Sequence, residues 1–268
     1  MERIVSIKQV RDLVVEVRNK RRGFVTNFYL DEFKHGIWIN KGVLFFEWIN
    51  DTLFFIKWSD EFWSVFYNST DWGELKADLK DFSKHYGDTQ LCFDIVGRDT
   101  QCETMRMLFE ELGYHELTSL VRMTRINEPM EYSADNTICR ATKSDLETVN
   151  GFLHTFFDEK TEQIPYWEEL VEYVTQGHVF VYRDNDRVAG FLIYEINATT
   201  LYLRYWFTYP DYRDKKVGSK LLRRFFDEGK ETKRQMFWVI RSNENAIKRY
   251  RHYGFKEENM FDFVMSNK

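Results

Sequence analysis

The sequence predicts an α/β chain in two domains, and three observations carry that expectation. First, a β-prone aromatic run at residues 201–209 leads through a basic loop into a segment with apolar residues at Leu221, Leu222, Phe225 and Phe226, the spacing of one helix face. Second, a strand-like run at 235–240 is followed by a helical pattern that closes on Gly254-Phe255. Third, the same succession occurs earlier. Residues 90–96 read as a strand, Cys102, Met105, Phe109 and Leu112 share one helix face, and the segment closes on Gly113-Tyr114.

In chain order, residues 53–57 and 62–67 read as strands, and Leu75, Leu79 and Phe82 mark a helix. The strand at 90–96 and the helix after it lead to a β-prone run at 117–124. Residues 127–135 are polar and hold one of only three prolines, so the domain boundary is placed there, with domains at 1–130 and 136–268. Beyond it, 137–140 reads as a strand and 145–156 as a helix with Leu146, Val149, Phe152 and Leu153 on one face. Residues 165–176 form a second helix opened by its proline. Strands at 178–182 and 188–196 are joined by a turn at Asp184-Asn185-Asp186, and 201–208 is a further strand. The basic loop, a helix, a strand, the helix of Tyr250 and a last strand at 262–265 complete the second domain.

Composition narrows the function classes. The chain has 268 residues, 43% hydrophobic and 18% aromatic, ample for packed cores. Charged residues at 30% with a net charge of −5 are ordinary for a soluble protein, and a sequence pI near 5.8 argues against a general nucleic-acid binder. The N-terminus shows no apolar signal segment, and the apolar stretch 42–58 is interrupted by Glu47, Asp51 and Lys57, so no membrane span is expected. Cys92, Cys102 and Cys139 have neither metal-ligand nor redox spacing, and the six histidines form no ligand pattern. Reduced thiols, no metal and a cytoplasmic location are the expectation.

The loop at 210–222 is the most informative segment. A strand-to-helix junction presents unpaired backbone N–H groups and the positive end of the helix dipole, which suits phosphate oxygens. Arg213, Lys215 and Lys216 add charge there, and Gly218 lets a ligand approach the backbone closely. In the following block, Asn243, Ala246, Tyr250 and Gly254-Phe255 stand at N-x-x-A-x-x-x-Y-x-x-x-G-F spacing. Asn243 fits a helix N-cap, and Ala246 and Tyr250 lie on one helix face.

Together these blocks resemble the GNAT superfamily of acyl-CoA N-acyltransferases, whose pyrophosphate loop reads R/Q-x-x-G-x-G/A. Arg213 and Gly218 match that pattern, while Lys216 stands where the first glycine usually is. Residues 138–146 resemble the family's first strand and first helix entry, so the likeness covers about 136–268. It implies a mixed, mostly antiparallel sheet flanked by helices. The first half reads as a degenerate copy of the same fold, without a pyrophosphate loop between Tyr67 and Leu75.

The resemblance also implies roles. Acetyl-CoA is the expected co-substrate. Phe207 and Thr208 would hold its pantetheine and carbonyl through their backbone, and the N–H groups of Lys215, Lys216, Val217, Gly218 and Ser219 its pyrophosphate, with Arg213 adding charge. Asn243 either bonds pantetheine or caps its helix. Tyr250 would protonate the leaving thiolate, and Glu195 is the candidate general base. Asp158, Glu159 and Glu162 either greet a cationic acceptor or form a solvated loop. The expected reaction is acetyl transfer to a primary amine, with amino sugar, amino acid, peptide N-terminus and polyamine all open as acceptors. Aminoacyl or other large-acyl transfer on a tandem scaffold, and a silent CoA-binding module, are the alternatives. If the position of Lys216 needs a left-handed backbone, its side chain costs about 1 kcal/mol there.

Overall fold

Each half of the chain lays three antiparallel strands side by side and then adds a parallel fourth. The computed structural model describes residues 1–20, 22–126 and 135–268; apart from Asp135, the boundary expected at 127–135 lies outside the described residues. Two compact units are present, Met1–Leu120 with Asn259–Lys268, and Val121–Glu258.

The first unit runs β1 (Glu2–Arg3), α1 (Ile7–Asn19), β2 (Val25–Thr26), α2 (Glu32–Lys41), β3 (Leu44–Ile49), β4 (Thr52–Trp58), β5 (Trp63–Ser69), α3 (Trp72–Tyr86), β6 (Leu91–Gly97), α4 (Asp99–Glu111) and the start of β7 (His115–Ile126). Its helix starts are locally encoded. Ser6 accepts from the Gln9 amide at α1, and Asp31 from the Lys34 amide at α2. Strands β3, β4 and β5 form an antiparallel meander. Strand β6 joins β5 in parallel, and β2 lies along the far end of β5. Phe54, Tyr67, Leu79, Phe82, Phe93 and Phe109 belong to one buried cluster, which Phe263 and Met265 complete.

The second unit runs β8 (Ile138–Arg140), a 3₁₀ turn, α5 (Leu146–Phe156), the short α6 (Glu159–Glu162), α7 (Trp167–Thr175), β9 (Val179–Asp184), β10 (Arg187–Asn197), β11 (Thr200–Thr208), a 3₁₀ segment at Pro210–Lys215, α8 (Val217–Glu228), β12 (Arg234–Ile240) and α9 (Glu244–His252). β9, β10 and β11 are antiparallel, β8 extends them at the β9 edge, and β12 joins β11 in parallel. One buried cluster sets Leu146, Val149, Leu153 and Leu170 of α5 and α7 against Phe191, Tyr205 and Phe207 of the sheet. Helix α8 has its apolar stripe, Leu221, Leu222, Phe225 and Phe226, fully or almost fully buried, each side chain contributing about 1.5–3 kcal/mol.

The order meander, helix, parallel strand, helix, strand occurs in both halves, which makes this a tandem of one fold. The last strand, β13 (Lys256–Ser266), departs from expectation. Read from the pattern it finishes the second domain, but Phe261–Ser266 pair with β6 of the first unit. The residues of β7 from Val121 onward belong instead to the second unit, where Arg122 and Thr124 bond Glu258. Alternating apolar residues specify that a strand forms, not which sheet edge takes it. The proline expected inside the second helix of that domain lies before it, since α7 begins at Trp167. Among the described residues, no helix is long and apolar enough to cross a membrane.

Candidate functional site

A fork between two parallel strands organises the second unit. β11 and β12 pair only at Thr200–Arg234, Leu201–Gln235 and Tyr202–Met236, and beyond those three positions no ladder joins them. Past Tyr202 the β11 peptide groups on this side have no ladder partner in β12. Unpaired buried peptide groups call for a partner, from water or from a ligand. A register shift sharpens the divergence. Ile193 pairs with Tyr205 and Tyr194 with Leu203, which leaves Arg204 as an extra residue in β11.

The start of α8 lies just beyond the end of β11. The 3₁₀ segment Pro210–Lys215 ends at Lys216, whose φ of 58° is left-handed, and no side chain caps the helix that follows. The first-turn N–H groups at Val217, Gly218 and Ser219 thus have no capping side chain competing for them. The exception to the glycine pattern read from the sequence does sit in the strained conformation considered for it. Gly218 is required by contact: a Cβ there would stand 2.9 Å from Trp206 Cζ2 and 3.4 Å from Thr208 Oγ1. Arg213, Lys215 and Lys216 are exposed. Lys215 lies 3.8 Å from Asp184 and over the Tyr212 ring, whose hydroxyl donates to Asp184 at 2.9 Å.

Tyr250 projects from α9 into an aromatic nest. Its ring lies 4.0 Å from Phe237, 5.5 Å from Trp206 and 6.1 Å from Phe255, between centroids. Burial pushes the phenol above its usual range, with the Arg249 charge opposing, so the hydroxyl keeps its proton. Its hydroxyl has no hydrogen-bond partner among the described residues. Asn243 caps α9 by accepting from the Ala246 amide at 3.1 Å, which leaves its amide NH₂ group uncommitted. Phe207 points the other way, into the core beside Phe152, Phe156 and Phe191, so only its backbone can serve the fork.

Glu195 is held rather than free. Its Oε1 accepts the Tyr173 hydroxyl at 2.5 Å and stands 3.4 Å from Arg204 Nε, while Asn197 donates to Oε2 at 3.3 Å. Although close to the carboxylate, the Arg204 Nε is buried with no hydrogen bond of proper geometry. Burial holds the Tyr173 phenol protonated, as a donor to Glu195. Asp158, Glu159 and Glu162 have local roles. Asp158 caps α6, Glu159 pairs with His154 at 2.8 Å, and Glu162 accepts the Asp158 amide.

Two residues central to this geometry were not singled out from the sequence. Trp206 lies against Gly218 and Tyr250, and its indole Nε1 is buried without a partner. Arg204 sits at the bulge. Strand alternation places Arg204, Trp206 and Thr208 on one face, which was the available signal; the bulge itself has no sequence mark.

Residues 145–255 match the model of the acetyltransferase (GNAT) family. No curated protein matches the sequence. Among solved structures, an acetyltransferase of the GNAT family from Colwellia psychrerythraea aligns over 99% of this chain and 98% of its own, at 12% identity and a TM-score of 0.57. A GCN5-related N-acetyltransferase from Sphaerobacter thermophilus aligns over 80% of this chain and 76% of its own, at 13% identity and a TM-score of 0.58. A tandem GNAT protein from the clavulanic acid biosynthesis pathway covers 80% and 78%, at 11% identity and 0.56. At such identities these structures establish a shared fold, and the last is likewise a tandem.

Proposed function

We propose, from the match of residues 145–255 to the acetyltransferase (GNAT) family model, that the chain moves an acetyl group from acetyl-CoA to a primary amine. The observation that carries this reading is the β11–β12 fork opening beside an uncapped helix start. An extended chain with amide groups fits the unpaired edge of β11, and a pyrophosphate fits the N–H groups from Lys215 to Ser219 with the dipole of α8 behind them. Lys216, Arg213 and Lys215 supply positive charge at that end. Thr208 and Phe207 offer backbone at the reacting carbonyl, and the uncommitted amide of Asn243 can bond the pantetheine arm.

The neutral amine attacks the thioester carbon, the carbonyl oxygen takes charge against backbone donors, and the C–S bond breaks as the intermediate collapses. The leaving sulfur takes the proton that Tyr250 retains through burial. Glu195 is the proposed acceptor of the amine proton. Since both its oxygens already accept hydrogen bonds, the amine reaches it through water or by displacing one of these donors.

The test is thiol release from acetyl-CoA against a panel of amino sugars, amino acids, peptides and polyamines. Amine-dependent release supports transfer. Stabilisation by CoA without turnover on any amine identifies a silent CoA-binding module instead.

A further inference from the structure

The first unit contains a second fork, and its own chain fills it. β5 and β6 are parallel neighbours that pair only at Trp63–Leu91 and Ser64–Cys92 and then part, as β11 and β12 do. Here the parted edges are bridged by Asn27, only 6% exposed. Its Oδ1 accepts the Tyr67 amide at 2.6 Å. Its Nδ2 donates to the Asp94 carbonyl of β6 at 2.9 Å and to the Val65 carbonyl of β5 at 3.4 Å. The Asn27 amide in turn donates to the Tyr67 carbonyl at 3.4 Å. One side chain therefore satisfies peptide groups on both arms of the fork.

The segment around Asn27 is built for this position. Gly23, at φ 132°, passes the Thr70 carbonyl so closely that a Cβ would stand 2.6 Å from its oxygen. Val25 and Thr26 then pair with Ser69 and Asn68 of β5, and Thr26 Oγ1 donates to Asn68 Oδ1 at 2.9 Å. Phe28, 5% exposed, anchors the other end against Phe55 and His35. The helix start beside this fork is closed as well. Asp71 Oδ1 accepts the Gly73 and Glu74 amides of α3 at 2.7 and 3.0 Å, which uses the donors an anion would need and places a carboxylate among them.

We infer that residues 23–28 are a built-in occupant of the first unit's fork, with the Asn27 carboxamide taking the place of an extended amide-bearing ligand. The first unit is thus a self-liganded copy, and the described residues offer one open fork. That last clause rests on the donor reading proposed above; the occupancy itself does not.

The experiment uses full-length protein and two variants, Asn27→Ala and Gly23→Ala. Hydrogen exchange at the Tyr67 amide should speed up roughly tenfold in Asn27→Ala, the consequence of removing one hydrogen bond to a buried donor, while β4 amides at Phe55 and Ile56 keep their wild-type rates. Gly23→Ala, which pushes the segment off Thr70, should expose the same amide without touching Asn27. Unchanged exchange at Tyr67 in both variants overturns the occupancy. In a calorimetric titration of the wild type, CoA should bind at one equivalent per chain, and two equivalents would overturn the closed copy. If CoA does not bind at all, the donor reading fails, and the exchange result still decides the occupancy.

Discussion

Replacing Tyr250 by Phe separates mechanism from fold. The ring is 8% exposed and packs on Phe237 at 4.0 Å, contacts that Phe reproduces. The hydroxyl has no partner among the described residues, so its removal strands no buried donor or acceptor. The cost to stability should therefore stay under about 1 kcal/mol, a shift of no more than about 4 °C in melting temperature. Loss of a general acid lowers kcat by about 10²- to 10⁴-fold, or roughly 3–5 kcal/mol in the barrier, while the KM for acetyl-CoA holds. Steady-state thiol release gives both constants. The pH profile adds a second reading. Burial raises the phenol's pKa, so the proton needed for the step persists through pH 10 and the alkaline limb of kcat lies above the ordinary tyrosine range. That limb should be missing in the variant. Wild-type kinetics in Tyr250→Phe would refute the assignment and leave water as the proton source. A raised KM at constant kcat would make Tyr250 a donor contact instead.

Other expectations can be checked separately. Gly218→Ala sets a Cβ 2.9 Å from the Trp206 ring, so it should lose about 1–3 kcal/mol in denaturant unfolding and weaken CoA binding by calorimetry; a larger residue such as Trp would damage the fold too. Lys216→Gly relieves a left-handed lysine worth about 1 kcal/mol, partly offset by glycine's entropy, so the melting temperature should hold or rise while CoA affinity falls most at low salt. His35 is buried and accepts the Asp31 amide at 2.9 Å, and burial lowers its pKa to about 4. The unfolded chain takes up that proton first, near pH 6.5, so stability should decline as pH falls from there toward 4, by about 3 kcal/mol at 1.36 kcal/mol per unit. Denaturant titrations should show this slope flattened in His35→Gln.

What could be read from residues alone was local. The Asn243 cap of α9, the glycine at φ 85° that ends that helix, the turn around Asn185 and the apolar stripe of α8 all depend on neighbours within a few positions, where backbone sterics and side-chain periodicity act directly. The basic loop and the Asn243–Tyr250 block were legible for the same reason, and so was the echo between the halves. The first 49 residues yielded no element assignment: the caps at Ser6 and Asp31 are local, but α1 packs on β4 and β5, strands that follow it in the chain. Only the tertiary structure decided where β13 pairs, that Arg204 bulges beside Glu195, and that Asn27 closes one fork while the other stays open. β13 and Asn27 each reach a segment far away in sequence, the one through backbone hydrogen bonds and the other through its carboxamide, and the bulge is a register shift between neighbouring strands; all three turn on peptide groups, which are the same at every position. Side-chain identity can favour a strand, but which unpaired peptide edge meets which partner is settled when the sheets assemble.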